Sequence, residues 1–379
     1  MVVLDIKLDN ILVFNRFSLN LSYPKKPVNS VLADENIDGR PNFRYKKLIV
    51  LMGANATGKT ALGNALRGIF NFIARREYIS ISDLIEDPRK EASFSIDLAF
   101  AEYQLYRIQA VFKARKSRQD EYKSTDILVD VRSESIGKND SYERCAERLA
   151  QKAAIKYDNY IQALETVPFL TWKFELPFGI SGKQRVLEPV APDLYAVVLE
   201  KTLQSLDPRI ENVEKIRDTD NTFIIRYRNH FVLIKDGVVM ETEKLSSGTV
   251  EGIGIADLIT AMKSRAMDFL FCDEKFSHVH ASSEKAFLSL LIEMIGPNQQ
   301  LFFTTHNSDV LDMNIPFHSF AFLRRDEFDE NTVSCVFASD YIKKNTQSLK
   351  NAVENDLFLT APDTDMIFRI SDIFNEAKI

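Results

Sequence analysis

Apolar and polar residues alternate along the first 23 residues of the chain. The apolar positions of this alternation are Ile6, Leu8, Phe17, Leu19, Leu21 and Tyr23. A period of two residues places successive side chains on opposite faces of a strand, so the pattern predicts half-buried antiparallel strands. A polar loop containing Pro24, Pro27 and Pro41 follows them.

The segment from residue 48 to residue 73 changes from a continuous apolar run to helical spacing. Residues 48–52, Leu-Ile-Val-Leu-Met, form a short run that predicts a fully buried strand. A glycine-containing turn follows the run. Beyond Thr60, apolar residues recur every three or four positions, as on the buried face of a helix. These residues are Leu62, Ala65, Leu66, Ile69, Phe70 and Ile73. The predicted order is therefore strand, glycine loop and helix.

The middle of the chain contains both strand and helix patterns. The predicted strands are 95–112, 126–132, Phe223–Tyr227 and Phe231–Ile234, with a turn at 235–237 leading toward another. The predicted helices are 142–165 and 191–205. No heptad pattern long enough for an extended coiled coil and no internal repeat is found.

Helices and strands alternate in the final third of the chain. The predicted elements are a helix from Gly248, a strand at Phe269–Cys272, a helix from Ser282–Ser283 to Gly296–Pro297, and a strand at 301–303. This alternation indicates a parallel sheet, to which the earlier strands add antiparallel parts. The sequence therefore predicts an α/β fold.

Composition and charge mainly exclude other classes of protein. The 379 residues include 45% hydrophobic and 27% charged residues, which is ordinary for a globular protein. The net charge of −6 gives the whole molecule no electrostatic attraction for nucleic acid. Three widely spaced cysteines argue against a disulfide framework and fit a reducing compartment. The chain start does not have the pattern of a signal peptide and no apolar run approaches a membrane span, so we expect a cytoplasmic protein without membrane contact.

One compact basic cluster could still contact nucleic acid. It consists of Lys113, Arg115, Lys116 and Arg118, preceded by Tyr103, Tyr106 and Arg107. The adjoining Asp120 and Glu121 dilute its charge. A solvated hairpin and a surface for a partner protein explain the cluster equally well, and binding to DNA or RNA would show steep salt dependence.

Residues 53–60 fit the phosphate-loop pattern G-x-x-x-x-G-K-[ST] without mismatch, between a predicted strand and a predicted helix. Backbone N–H groups of such a loop surround the β-phosphate of a nucleotide at the positive end of the helix. Lys59 would reach the β- and γ-phosphates, and the Thr60 hydroxyl would bind Mg²⁺. The predicted ATP-binding residues are Gly53, Ala54, Asn55, Ala56, Thr57, Gly58, Lys59, Thr60 and Ala61.

Two acids end the apolar strand at residues 269–272. Asp273 is placed to hold Mg²⁺ beside Thr60, and Glu274 to polarise the water that attacks the γ-phosphate. An acidic pair capping a strand end is the alternative interpretation. The phosphate loop upstream favours the catalytic one.

Residues 245–249, Leu-Ser-Ser-Gly-Thr, precede a predicted helix and by themselves indicate an N-capping turn. In company with the phosphate loop and the acidic pair, they resemble the signature of ABC-type ATPases, usually L-S-G-G-Q. The resemblance implies that Ser246, Ser247 and Gly248 bind the γ-phosphate held by a second copy of the chain. His306, after the strand at 301–303, resembles the switch histidine of these ATPases; a structural histidine is the alternative.

The four motifs, in this order, resemble the SMC/RecF-like ATPase heads. The residues in these motifs are most similar to those of prokaryotic AAA-family ATPases related to the overcoming-lysogenization-defect (OLD) proteins. These include the ATPase subunits of the Septu (PtuA) and PARIS (AriA) defence systems. In that family the acids lead into D-E-I-E-x-x-L-H-P. Here residues 273–281 are Asp-Glu-Lys-Phe-Ser-His-Val-His-Ala, so His280 matches while Ala281 replaces the proline. Residues 206–210 also resemble the family.

The resemblance implies a P-loop NTPase of the ABC ATPase-head type, with a mixed sheet flanked by helices, an antiparallel β-subdomain and a helical insertion. It implies an Mg²⁺-dependent ATPase that works as an ATP-sandwiched homodimer. The function it suggests is a sensor in an antiviral, abortive-infection defence system that controls a separate effector such as a nuclease. The alternative is a RecF-like DNA-repair ATPase that binds nucleic acid itself.

The expected domains are an N-terminal ATPase lobe at 1–85, an inserted β/helical subdomain at 86–236 and a C-terminal ATPase lobe at 237–379. The pair Asp363 and Asp365 could suggest a nuclease centre, but a solvated loop is favoured because little sheet is predicted around it. His278 and His280 could suggest a metal pair, which the lack of further His or Cys nearby disfavours.

Overall fold

The structure is a computed structural model. It describes residues 1–26, 30–117, 121–155, 157–176, 192–216, 219, 221–325, 332–342, 347–360 and 369–370. Pro27, Arg118, Asp120, Asp363 and Asp365, which were named above from the sequence, lie outside the described residues.

Strands supply three main sheets and one short hairpin. In chain order they are β1 (Val2–Asp9), β2 (Phe17–Asn20), β3 (Asn36–Ile37), β4 (Arg40–Arg44), β5 (Leu48–Met52), β6 (Ala92–Phe100), β7 (Gln104–Phe112), β8 (Ile127–Ser135), β9 (Trp172–Glu175), β10 (Ile210–Lys215), β11 (Phe223–Tyr227), β12 (Phe231–Lys235), β13 (Val238–Val239), β14 (Phe269–Asp273), β15 (Gln300–Thr304), β16 (Phe320–Arg325) and β17 (Val333–Phe337).

Helices cover these sheets. They are α1 (Lys59–Arg75), α2 (Ile79–Ser82), α3 (Tyr142–Gln151), α4 (Tyr160–Glu165), α5 (Pro192–Leu206), α6 (Ser247–Ser264), α7 (Ala281–Met294), α8 (Ala338–Tyr341) and α9 (Leu349–Glu354).

The central sheet has the order β17-β16-β5-β15-β14-β9. All of its neighbouring strands are parallel except β17, which is antiparallel to β16. Every residue of β5, β14 and β15 is buried. The continuous apolar runs of these strands form a parallel sheet because helices cover both of its faces. Phosphate loop, acidic pair and histidine turn therefore emerge at one edge, at the carboxyl ends of adjacent strands.

The antiparallel sheet has the order β2-β1-β6-β7-β8, with Ile6 opposite Ile96 on one side and Leu19 on the other. The predicted half-burial is confirmed for β2 and for the end of β1, where Lys7 is exposed between buried Ile6 and Leu8, but residues 2–5 of β1 are buried on both faces. Val3 and Ile6 belong to the large core around α1, whereas Val2 and Leu4 pack in a separate core with residues of α3. The core on the second face replaces the solvent that the alternation suggested.

The third sheet, β10-β11-β12-β13, confirms the predicted strand pair at 223–235. Helices α5 and α6 pack against it through a common core that includes Tyr195, Leu203 and Ile253. The helix predicted at 142–165 is wrong in extent, because it is two helices. Ser141 caps α3 by accepting a hydrogen bond from Arg144 N, and Asn159 caps α4 by accepting one from Gln162 N.

Sheet membership crosses the domain boundaries expected from the sequence. Strands β6–β8, from the segment 86–236, extend the sheet begun by β1, and β9 of the same segment is the edge strand of the central sheet. The boundaries themselves stay a prediction. Within the described ranges, no helix combines the length and the apolar character that crossing a bilayer requires.

Candidate nucleotide site

Residues 53–58 form a tight loop between β5 and α1, as the sequence predicts. Ala56 has φ of 61° and Gly58 has φ of 106°, both in the left-handed region. At Gly58 a Cβ atom would lie 3.0 Å from Val13 Cγ2 and 3.3 Å from the Phe14 ring. The glycine therefore meets both a backbone and a packing requirement. Thr57 Oγ1 donates to Ala54 O at 2.8 Å and closes the loop.

Lys59, the first residue of α1, is buried beneath the loop. Its Nζ donates to Gly53 O at 2.9 Å and Ala54 O at 3.3 Å, and lies 3.6 Å from Glu274 Oε1. Burial lowers the pKa of Lys59, while the Glu274 carboxylate opposes that change. The ammonium group therefore lies where strand β14 and the phosphate loop meet.

Asp273 is fully buried at the end of β14. Its Oδ1 accepts a hydrogen bond from Thr304 Oγ1 at 2.7 Å. Its Oδ2 is buried and has no hydrogen-bond partner in the part of the chain that the structure describes. Burial raises the pKa of Asp273, and the Thr304 and Thr60 hydroxyls oppose this effect.

An unsatisfied carboxylate oxygen near a threonine hydroxyl fits an oxygen-seeking cation such as Mg²⁺. The described residues contain no group of three or more His, Cys, Asp or Glu that could hold a metal ion. Mg²⁺ does not need such a group, because it commonly uses one or two protein oxygens and completes its shell with phosphates and water. The residues present therefore fit a nucleotide-dependent Mg²⁺ site at Thr60 and Asp273.

Glu274 has a strained backbone conformation and contacts Lys59, Thr304 and His306. Its φ is 45°, which is uncommon for a residue other than glycine. The Glu274 N–H donates to Thr304 Oγ1 at 2.8 Å, and its Oε1 lies 2.7 Å from His306 Nε2. The hydrogen bond from His306 lowers the pKa of Glu274, against burial, so the side chain is a carboxylate at neutral pH. Structure thus brings Lys59, Glu274 and His306 together.

The turn that carries His306 is fixed by Glu284 of α7, a residue that the sequence analysis did not identify. Glu284 Oε1 accepts from Thr305 Oγ1 at 2.5 Å, and Oε2 accepts from Asn307 Nδ2 at 2.8 Å. Burial raises the pKa of Glu284. Both flanks of His306 are therefore anchored, while its own side chain is 44% exposed. Thr304, which joins Asp273 to Glu274, was missed as well.

The signature residues form the N-terminus of the 18-residue helix α6. Ser246 is the N-cap, and its Oγ accepts from Thr249 N at 3.1 Å. Ser246 and Ser247 are exposed and Gly248 is half-buried. The hydrogen bonds found for Ser246 stay within its own turn. The turn thus presents an exposed helix N-terminus, the kind of site that binds anions.

The remaining sequence candidates have local roles in the structure. Lys113 Nζ donates to Thr125 O, and the Arg115 guanidinium lies 4.1 Å from the centre of the Tyr122 ring. His280 caps α7 by accepting from Ser282 N. His278 Nδ1 lies 2.7 Å from Glu251 Oε1. The two histidines therefore have separate partners, which does not favour a metal pair.

The mixed sheet, with the phosphate loop and the acid-ended strand at the same edge, has the fold of a P-loop ATPase head of the ABC type. The chain belongs to the family described as AAA domain, putative AbiEii toxin, Type IV TA system, whose profile matches residues 48–313.

Solved structures show the same fold. An Smc head bound to the C-winged helix domain of ScpA matches with a TM-score of 0.51 and 14% identity, covering 93% of this chain and 100% of that chain. The SMC head domain from Thermotoga maritima has a TM-score of 0.42 and 14% identity, with 89% and 99% covered. The recombination mediator RecF bound to ATPrS has a TM-score of 0.43 and 10% identity, with 88% and 98% covered. The comparison of the fold rests on the first of these. No curated protein matches the chain.

Proposed function

We propose that the chain is an Mg²⁺-dependent ATPase whose catalytic centre is completed by a second copy of itself. The observation that carries the proposal is the position of Glu274, 2.7 Å from His306 Nε2 and 3.6 Å from Lys59 Nζ. A carboxylate beside the phosphate-loop lysine lies where the γ-phosphate of a bound nucleotide and the attacking water would meet.

Each residue then has one chemical task. The loop N–H groups and Lys59 would bind the β- and γ-phosphates, and Thr60 and Asp273 would hold Mg²⁺, which would supply positive charge for the phosphate oxygens. Glu274 orients water toward the γ-phosphorus and accepts its proton as the bond to ADP breaks. Because its pKa is lowered, Glu274 acts more by orienting and polarising water than as a strong base. His306 fixes the Glu274 rotamer and can donate toward the γ-phosphate.

The second copy would supply Ser246, Ser247 and Gly248. The exposed turn lies at the N-terminus of α6, where the first N–H groups of a helix have no partner within the helix and the helix dipole favours a phosphate. In a symmetric dimer each turn would close over the nucleotide held by the other subunit. ATP would thus hold the dimer together, and hydrolysis would release it.

We further propose that this cycle regulates a separate effector, such as a nuclease, in a prokaryotic antiviral defence system of the abortive-infection type. Support comes from the family description, which refers to a toxin of a type IV toxin–antitoxin system, and from the OLD-, PtuA- and AriA-like spelling of residues 245–249 and 273–281. The second candidate is a RecF-like ATPase that binds DNA through Lys113, Arg115 and Lys116. The exposure of Lys113 and Lys116 favours this candidate.

Three substitutions test the ATPase proposal. Lys59→Ala should abolish binding of a fluorescent ATP analogue. Glu274→Gln should bind ATP, lose turnover and accumulate as a dimer in light scattering. Ser246→Arg should bind ATP as a monomer yet fail to dimerise or release phosphate. Turnover of Glu274→Gln at the wild-type rate would refute the role of Glu274.

One further comparison distinguishes the effector hypothesis from the DNA-binding hypothesis. Affinity purification from the native host with and without phage infection should recover an effector protein with the Glu274→Gln dimer but not with Lys59→Ala. A salt-sensitive shift of duplex DNA by the purified protein, lost when Lys113, Arg115 and Lys116 are changed to Ala, would instead favour the DNA-binding function.

A further inference from the structure

Glu251 is a buried carboxylate that the proposed chemistry does not use. It lies on α6, just over one turn beyond the N-cap Ser246, and is 1% exposed. A glutamate is seldom buried so completely unless hydrogen-bond donors surround it. Its surroundings therefore indicate what it holds.

Three donors from the loop that follows Glu274 surround this carboxylate. Glu251 Oε1 lies 2.7 Å from His278 Nδ1 and accepts from Ser277 Oγ at 3.1 Å. Glu251 Oε2 accepts from the His278 backbone N–H at 3.1 Å. The backbone bond fixes the path of the loop, and the two side-chain bonds fix its rotation. One carboxylate thus fastens residues 277–278 to the signature helix.

The backbones of the two segments also touch. A Cβ atom added at Gly248 would lie 3.0 Å from the His278 carbonyl oxygen, closer than most Cβ contacts. Gly248 therefore allows the loop to approach the signature turn, in addition to its proposed contact with phosphate. The ring of His278 remains 58% exposed, beside the exposed Ser246 and Ser247. Loop and signature turn form one continuous exposed surface.

A second set of buried charges fixes the same helix nearer the sheet. Asp257 of α6 forms an ion pair with Lys173 of β9, and Lys173 Nζ lies 3.4 Å from Glu175 Oε1. Lys275, the residue after Glu274, lies 3.7 Å from Glu175 Oε2. The start of the loop is thereby held independently of Glu251. Loss of Glu251 should free residues 277–278 without releasing Glu274.

We propose that Glu251 is a positioning residue that acts on the partner subunit's catalytic centre. It holds the loop at 277–278 against the signature turn, so that both meet a second copy of the chain as one preformed surface. The inference rests on the proposed shared centre. Because the signature turn serves the nucleotide of the other subunit, a defect at Glu251 appears in that subunit's centre and not in its own.

Glu251→Gln is the test substitution. A buried amide cannot accept from all three donors, and its own N–H₂ group faces one of them, which leaves a buried donor unsatisfied. We expect unchanged ATP binding by the monomer, and ATP-dependent dimerisation and turnover reduced by about 10- to 100-fold. Glu293→Gln, which removes an exposed charge from α7, is the matched control and should leave both unchanged.

Mixing two impaired variants distinguishes an effect on the partner from an effect within the subunit. Glu251→Gln and Glu274→Gln subunits are combined before ATP is added. Each mixed dimer then has one centre with an intact Glu274 from one subunit and an intact signature surface from the other. Random pairing should restore turnover to about a quarter of the wild-type rate. Ser246→Arg mixed with Glu274→Gln is the positive control.

The outcomes separate the two proposals. Recovery in both mixtures supports the role of Glu251. Recovery with Ser246→Arg but not with Glu251→Gln overturns that role while the shared centre stands. No recovery with Ser246→Arg refutes the shared centre itself. If Glu251→Gln does not fold, His278→Ala is the substitute, because it removes only the ring donor of the exposed His278. It should show the same recovery of turnover after a smaller initial defect.

Discussion

Thr304→Val tests whether one buried hydroxyl holds the two acids of the centre in place. Valine has nearly the same shape as threonine but cannot form hydrogen bonds. Thr304 Oγ1 donates to Asp273 Oδ1 at 2.7 Å and accepts from the Glu274 N–H at 2.8 Å. The substitution therefore removes both bonds while the packing in β15 is kept.

The expected loss follows from those two bonds. A hydrogen bond to a charged group is worth about 1.5–3 kcal/mol and a neutral one about 1 kcal/mol. Because Thr304 and Asp273 are buried, water cannot replace the hydroxyl. We expect the free energy of unfolding to fall by about 3 kcal/mol, a factor of about 100 in the folding equilibrium. With the hydrogen bond from Thr304 lost, the pKa of Asp273 should also rise further.

The pH dependence of this loss has a defined sign. A raised pKa means that the ionised Asp273 destabilises the fold, so the penalty is largest at high pH and is relieved when the carboxyl is protonated. Urea unfolding should therefore show a larger difference between Thr304→Val and wild type at pH 8 than at pH 5. Thr304→Ser keeps the hydroxyl and is the control. Equal stability and equal ATP turnover in the valine variant and the wild type would refute the reasoning.

Three further substitutions address other parts of the molecule. Lys173→Met leaves Asp257 without its partner and should cost about 3–5 kcal/mol in urea unfolding, much of it recovered in Lys173→Met/Asp257→Leu. Burial raises the pKa of Asp5 to about 6, so Asp5→Asn should stabilise the fold by about 2–3 kcal/mol above pH 6, with the gain vanishing near pH 4; a pH-independent gain would contradict this. Gly58→Ala places a Cβ at φ of 106° and should weaken binding of a fluorescent ATP analogue, whereas Arg75→Ala, at the exposed far end of the same helix, should not.

Buried parallel strands were predictable because their sequences are unusual. Residues 48–52 and 269–272 are apolar without interruption, a pattern that requires cover on both faces. The same signal is present in Phe320–Leu323 and could have identified β16. By contrast, β9 alternates apolar with charged residues and suggests an exposed face. Lys173 is nonetheless buried, because ion pairs from distant parts of the sequence compensate its charge.

The candidate site also contains residues that could be predicted from the sequence and residues that could not. Its motif residues follow from spacing, since phosphate binding dictates a fixed local pattern. Thr304, Glu284 and Glu251 have no such pattern, because each acts through a partner brought close only by the tertiary fold. A threonine at a strand end or a glutamate in a helix is common in any sequence. Only contacts distinguish these residues from their neighbours.

The position of β5 has a consequence for how the protein is made. This strand pairs on one side with residues 301–304 and on the other with residues 320–322. During synthesis both edges of β5 therefore stay unpaired until more than 250 further residues have left the ribosome. Such distant pairing slows folding, and open apolar strands invite aggregation. We expect fragments that end before residue 300 to be insoluble or bound by chaperones.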